Sequence, residues 1–234
     1  MLAKQKNRRS GLLAIVCLMF SFILLFLASA AISEVTKPNP IDVSFFRFCE
    51  SFTNPLSIQI AIFISFFGTA VFLVPAYILI VYFLVKLNHE RYAAMVTTII
   101  ITSLLSGWLL KLIFHKHRPP VPLVPGAGWY SFPSGHALGA FTFSGICLFL
   151  LWKARISNPR KRVFSGIFIV FGCLIGLSRI FLHVHYATDV FGSLFFSGFW
   201  ILFVYMIFRI MYGMDLHKKK ERVPSLHRIQ HSDR

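Results

Sequence analysis

The chain has 234 residues, 56% of them hydrophobic and 14% charged, with a mean hydropathy of +0.71 and a formal net charge of +16. A soluble domain carries roughly a quarter charged residues, so this composition excludes an ordinary soluble fold. The basic residues sit in short connections and tails, which makes membrane orientation, and not nucleic acid, the reason for the charge.

Apolar blocks about as long as a bilayer-spanning helix, ~20 residues, predict an all-α polytopic membrane protein. Six transmembrane helices form one bundle, with a single domain over 1–234. The first span is read at 11–32, after Lys4, Lys6, Arg8 and Arg9. Ala28-Ser29-Ala30 resembles a signal cleavage site, but the apolar stretch exceeds the roughly 7–15 residues of a signal h-region. A retained helix is the reading adopted. The next segment, IDVSFFRFCESF, repeats Ile41, Phe45, Phe48 and Phe52 at helical spacing, with Asp42, Arg47 and Glu50 among them. It is an amphipathic helix, either lying in the membrane interface or packed on the bundle.

The second span is read at 56–85, with a kink expected at Pro75 that neighbouring helices can tolerate. The third is 92–114, the fourth 134–152, the fifth 163–182 and the sixth 189–211. A polar, basic tail follows from about 212 to the end, suited to anionic lipid. Cys17, Cys147 and Cys173 lie in apolar runs and Cys49 stands apart, so all four read as packing residues and not as a disulfide framework.

Lys and Arg are more numerous in the N-terminal segment, beside Lys86 and Arg91, in the 153–162 connection and in the tail. The opposite side carries Lys37, Arg47, Lys111, Lys116, Arg118 and Arg179. By the positive-inside rule both termini are then cytoplasmic, and the 33–55, 115–133 and 183–188 connections face outward.

Polar residues cluster at three of these outward ends. Lys111, His115, His117 and Arg118 form one group; Ser131, Ser134 and His136 a second; Ser178, Arg179, His183, His185 and Asp189 a third. Ionisable residues at membrane depth are costly and mark functional sites. Several cations beside histidines suit a multiply charged anion, and phosphate is the natural candidate. In Pro133-Ser134-Gly135-His136, proline is tolerated at a helix start, glycine lets backbone approach a ligand, and the first helix amides point at any bound anion. A plain helix start capped by Ser134 explains the same four residues.

His185 and Asp189, four apart, share a helix face, and a carboxylate on one ring nitrogen frees the other as nucleophile or base. Asp189 is the only Asp or Glu between Arg91 and Met214, and His185 is its expected partner. It also suits a helix N-cap. Mg²⁺ or Ca²⁺ prefers several carboxylates, so with one carboxylate among three cations no metal and no cofactor is expected.

Together the three clusters resemble the type 2 phosphatidic acid phosphatase (PAP2) family, membrane relatives of vanadium haloperoxidases. The family pattern of Lys, six residues and Arg-Pro is matched by Lys111, LIFHKH and Arg118-Pro119. Pro-Ser-Gly-His is matched at Pro133 to His136. Ser-Arg, five residues, His, three residues, Asp is matched by Ser178-Arg179, His185 and Asp189.

The resemblance implies a membrane lipid phosphatase working through a phosphohistidine without metal. His185 would be the nucleophile, Asp189 its orienting carboxylate and His136 the acid and then the base. Lys111, Arg118, Ser134, Gly135 and Arg179 would hold the phosphoryl oxygens. The implied substrate is a phospholipid or polyprenyl phosphate such as undecaprenyl pyrophosphate, phosphatidylglycerol phosphate or phosphatidic acid, at the outer face of the plasma membrane. No nucleic acid and no obligate protein partner is implied. The rival readings are a phosphotransferase using the same histidine, and a non-enzymatic anion-binding transporter.

Overall fold

The structure, a computed structural model, describes residues 2–35, 39–125, 128 and 130–212. The basic tail and Trp129 lie outside the described residues. Eight α-helices run through the described residues: α1 (Leu2–Val35), α2 (Pro40–Glu50), α3 (Pro55–Phe66), α4 (Ala70–Lys86), α5 (Glu90–Phe114), α6 (Gly135–Lys153), α7 (Asn158–Phe181) and α8 (Ala187–Tyr212). Six segments are long and apolar enough to cross a membrane, α3 and α4 counting as one segment, Pro55–Lys86.

Local chemistry explains where the helices start and stop. Asn54 accepts from the Ser57 amide while the Ser57 hydroxyl accepts from the Asn54 amide, a reciprocal cap with Pro55 at the first turn. Asn39 caps α2 in the same position ahead of Pro40. α5 ends at His115, which takes a left-handed φ of 45°, the conformation that commonly closes a helix.

The second span breaks somewhere other than expected. Pro75 lies inside α4, and the interruption falls at Phe67, Gly68 and Thr69. There three successive amides bond to carbonyls three residues back, the tighter turn that ends many helices. A 32-residue segment would run ~48 Å at 1.5 Å per residue, well beyond a ~30 Å hydrocarbon layer. Gly68 permits the break to sit tight against its neighbours: an added Cβ would lie 2.6 Å from Ile175 Cγ2 and 3.2 Å from His136 Cβ.

α6 and α8 form the centre, with α1, α5 and α7 packed around them. Small residues let the helices close in, since an added Cβ on Gly192 would meet the Phe132 ring at 2.5 Å and one on Gly145 would meet Ile201 at 2.4 Å. Polar bonds cross between helices, including Tyr77 Oη to the Gly139 carbonyl at 3.0 Å and Trp200 Nε1 to Thr102 Oγ1 at 2.8 Å. The outer surface is apolar, with residues such as Val71, Ile113, Val163 and Ile210 largely exposed, as lipid contact requires.

α2 packs on the bundle. Cys49 and the partly buried Phe45 and Phe46 pack with Val190 and Ile180, whereas Ile41, Phe48 and Phe52 are exposed. The apolar stripe read from the sequence is thus divided, with Phe45 turned inward and the other three outward. All four cysteines are free.

Candidate active site

The ends of α5 and α7 and the starts of α6 and α8 meet, and the loops between them carry the polar residues inward. After His115 turns the chain, Lys116 is buried, His117 exposed and Arg118 half-buried, an alternation expected of extended backbone. The Ser131 amide donates to the Lys116 carbonyl at 2.7 Å, tying the α5–α6 connection to itself. At the α7 end, the amides of Val184 and His185 both donate to the Arg179 carbonyl at 3.2 Å. His183 adopts a positive φ of 54° in that turn, which delivers His185 to the interior.

His185 is 2% exposed. Arg118 Nη1 lies 3.1 Å from His185 Nε2 and donates to the Val184 carbonyl at 2.8 Å. A guanidinium has no acceptor, so Nε2 is the accepting nitrogen and Nδ1 carries the hydrogen. On the Nδ1 side stand Ser131 Oγ at 3.3 Å and Asp189 Oδ2 at 3.4 Å. Ser131 Oγ itself makes a short hydrogen bond to Asp189 Oδ2. The serine therefore bridges imidazole and carboxylate, accepting from one and donating to the other. Burial lowers the His185 pKa from the usual 6.5 to about 4, against the opposing pull of Asp189. At neutral pH the ring is uncharged with the Nε2 lone pair available.

Asp189 has no exposed surface. It stands third in α8 and accepts from the Tyr186 amide at 2.9 Å, so it closes the helix start from within and is not the N-cap. The partner expected from the sequence, His185, is not its closest one. Lys116 Nζ reaches Asp189 Oδ1 at 2.7 Å. A buried carboxylate needs a full counter-charge, and neutral His185 cannot supply it.

The other predicted residues converge on the same region. Lys111 Nζ donates to the Tyr130 carbonyl at 2.7 Å. Arg179 Nη1 makes a short bond to Ser65 Oγ at the end of α3. Burial lowers the Arg118 pKa, but a guanidinium remains charged at any physiological pH. His136 lies within electrostatic reach of Arg179, His185, Arg118 and Lys111. Ser134 is the N-cap residue of α6, yet its side chain makes no capping bond, which removes the plain-cap explanation of the tetrapeptide. Its hydroxyl and Arg179 Nε are buried without a partner among the described residues, two donors that a phosphoryl oxygen would satisfy. An added Cβ on Gly135 would meet nothing within 4 Å, so the helix start is open to a ligand.

Some polar neighbours do not join the site. The Ser178 hydroxyl bonds back to the Ile175 carbonyl, and His183 packs on Phe46 with ring centroids 4.7 Å apart. Among the described residues no three His, Cys, Asp or Glu side chains come together as a metal-ligand set. The residues missed from sequence are Lys116, Thr188, Asp42 and Ser65, and Ser131, grouped there with Ser134 and His136, gains its role only from the structure.

A cavity of about 640 Å³ runs from the site between α4, α5 and α6. Gly68, Gly135, His136 and Gly139 line one end, and Val81, Tyr82 and Thr97 the other. The rise from Ala70 to Tyr82 along α4 corresponds to ~18 Å of helix. Ile78, Ile101 and Leu104 line it and are also exposed on the outer surface, so the groove opens sideways.

The PAP2 superfamily model matches residues 91–211 of the chain, a stretch that contains every motif residue from Lys111 to Asp189. This chain belongs to the PAP2 superfamily. It is 35% identical over 112 residues to undecaprenyl-diphosphatase BcrC of Bacillus subtilis, covering 46% of this chain and 51% of that protein. The chain thus spans about half the length of this relative. It is 27% identical over 175 residues to phosphatidylglycerophosphatase B of the same organism, covering 74% of this chain and 86% of that one. The crystal structure of a transmembrane PAP2-type phosphatidylglycerolphosphate phosphatase from Bacillus subtilis superposes with a TM-score of 0.74, over 84% of this chain and 98% of that one at 24% identity. The likeness agrees with the PAP2 fold expected from the motifs: all-helical, with six candidate spans.

Proposed function

We propose that this PAP2 protein is a lipid phosphatase that hydrolyses a phosphomonoester or pyrophosphate of a membrane lipid. The observation that carries the reading is the position of Gly135 and His136, which belong both to the end of the apolar groove and to the cationic cluster. A lipid tail in the groove would bring its phosphate to the cations and its bridging oxygen to His136. The relatives named undecaprenyl-diphosphatase and phosphatidylglycerophosphatase B make polyprenyl pyrophosphate and phosphatidylglycerol phosphate the leading substrates.

In this reading the Nε2 lone pair of His185 attacks phosphorus while the bond from phosphorus to the lipid oxygen breaks. His136 donates a proton to the departing oxygen. It then takes a proton from the water that attacks the phosphohistidine, and the N–P bond breaks to release inorganic phosphate. Lys111, Arg118, Arg179, Ser134 and the amide of Gly135 stabilise the phosphoryl oxygens as charge redistributes. Asp189 keeps the His185 proton on Nδ1 and offsets the charge that the ring gains. The Lys and Arg distribution supports a site on the extracytoplasmic face of the plasma membrane with both termini cytoplasmic. The reading takes 1–234 as one domain, which the packing of α1 and α2 on α8 supports.

The test is phosphate release by purified protein in detergent with excess EDTA and no added acceptor, across a panel of lipid mono- and pyrophosphates. Release from at least one lipid is expected. Turnover only on adding an alcohol acceptor indicates a phosphotransferase, and none under either condition returns the protein to anion binding. Chain recognition has its own check. Leu104→Trp, which fills the groove, lowers kcat/KM for long-chain lipids about tenfold or more while sparing short-chain water-soluble analogues. Equal loss on both would remove the groove from substrate binding. The pH profile follows from His185. After correction for substrate ionisation, the acid limb of kcat/KM lies near pH 4, since the ring loses its proton above its lowered pKa. A limb at 6.5 would mean a solvated imidazole.

A further inference from the structure

Behind His185 lies a second buried charge cluster that hydrolysis by the motif residues does not use. Lys116 is 6% exposed and Asp42 4% exposed. Lys116 Nζ bonds to Asp189 Oδ1 at 2.7 Å and to Thr188 Oγ1 at 2.9 Å, lies 4.0 Å from Asp42 Oδ2, and stands 4.4 Å from the centroid of the Tyr186 ring. Asp42 accepts from the Thr188 amide at 2.9 Å and from its hydroxyl at 3.0 Å. Three elements therefore converge on one ammonium: α2 through Asp42, the α5–α6 connection through Lys116, and α8 through Thr188 and Asp189.

We propose that Lys116, braced by Asp42 of α2, is a positioning residue for phosphoryl transfer that acts through Asp189 and holds its carboxylate aimed at the Nδ1 side of His185. The charge count explains why two acids and one base are used. With Lys116 alone, Asp189 would be neutralised and would offer little to an imidazole gaining positive charge. With Asp42 ionised, the trio carries one net negative charge, available when phosphorus bonds to Nε2. Burial raises the Asp42 pKa, and the Thr188 hydrogen bonds and the Lys116 charge offset that rise only in part. Lys116 also keeps His185 neutral at rest, because Asp189 already has its cation and does not need to draw a proton onto the ring. The other groups around His185 are Ser131, Arg118, Lys111 and His136, and the variants below leave all of them in place.

The proposal rests on His185 being the nucleophile, but its central test does not need turnover. The full chain, labelled with ¹⁵N-histidine in detergent micelles, is titrated by NMR, the His185 signal being identified by its loss in His185→Gln. In Lys116→Met the uncompensated Asp189 raises the His185 pKa by about 1–3 pH units, whereas Lys116→Arg stays near the wild-type value. Asp42→Asn combined with Lys116→Met titrates below Lys116→Met alone, since the added loss of a negative charge offsets the lost positive one. An unchanged titration in Lys116→Met overturns the proposal. So does a double variant titrating above Lys116→Met, which would mean that the packing has merely loosened. If Lys116→Met does not fold, Asp42→Asn decides by kinetics. A severalfold loss of kcat at unchanged KM supports the role and wild-type kcat refutes it. The expected titration shifts in the variants, alongside a wild-type protein that releases no phosphate from any lipid, would refute the phosphatase reading and leave the positioning intact.

Discussion

His185→Ala is expected to abolish phosphate release, by about 10⁴-fold or more, while lipid phosphate still binds. The imidazole presents an uncharged nitrogen lone pair to the site's cations, with Arg118 Nη1 3.1 Å from Nε2. Removing it leaves Lys111, Arg118, Arg179 and the start of α6 in place, so binding of a phosphorylated lipid by competition should change only a few-fold. Because the ring is buried without a charge at neutral pH, its loss creates a cavity and no orphaned ion, which favours a folded variant. An acid-labile phosphoenzyme should form on wild type during turnover and be absent from the variant. Undiminished hydrolysis in His185→Ala would remove the nucleophile assigned here.

Asp189→Asn should cost about 10³–10⁴-fold in kcat, the scale seen when a catalytic histidine loses the carboxylate that fixes its tautomer. It should also lower stability, because Lys116 would lose its carboxylate at 2.7 Å and keep only Asp42 at 4.0 Å. The two effects separate experimentally. Activity at low temperature, where the variant remains folded, reports the catalytic part, and the shift in melting temperature reports the buried ion pair. KM should move little, since Asp189 has no exposed surface with which to touch substrate. A variant that melts early but turns over normally when folded would reduce Asp189 to a structural role.

The spans and the motif residues were legible because each depends on a contiguous pattern. A run of apolar residues means the same thing wherever it packs, and the expected end of the third span at Phe114 coincides with the end of α5. His185 and Asp189 lie one helical turn apart, so spacing alone put them together. Lys116 had no such signal. It sits between two histidines in a loop, and only the contact with Asp189 and Asp42, 73 and 74 residues away in sequence, gives it meaning. Asp42 reads as part of the polar side of an amphipathic helix with Arg47 and Glu50, whereas those two are exposed and Asp42 alone is buried against Thr188 of α8. At the second span proline drew the expected kink to Pro75. A proline within a bundle can be accommodated, and the chain instead breaks at Gly68, where the neighbouring helix and His136 come too close for a side chain.

The sideways mouth of the cavity between α4 and α5 has a kinetic consequence. A substrate entering there arrives by diffusion within a leaflet, so encounter frequency follows its mole fraction among lipids and not its amount per volume of buffer. Inert lipid is then a competitor by dilution, and the released lipid product re-enters the same two-dimensional solvent from which the protein draws its next molecule.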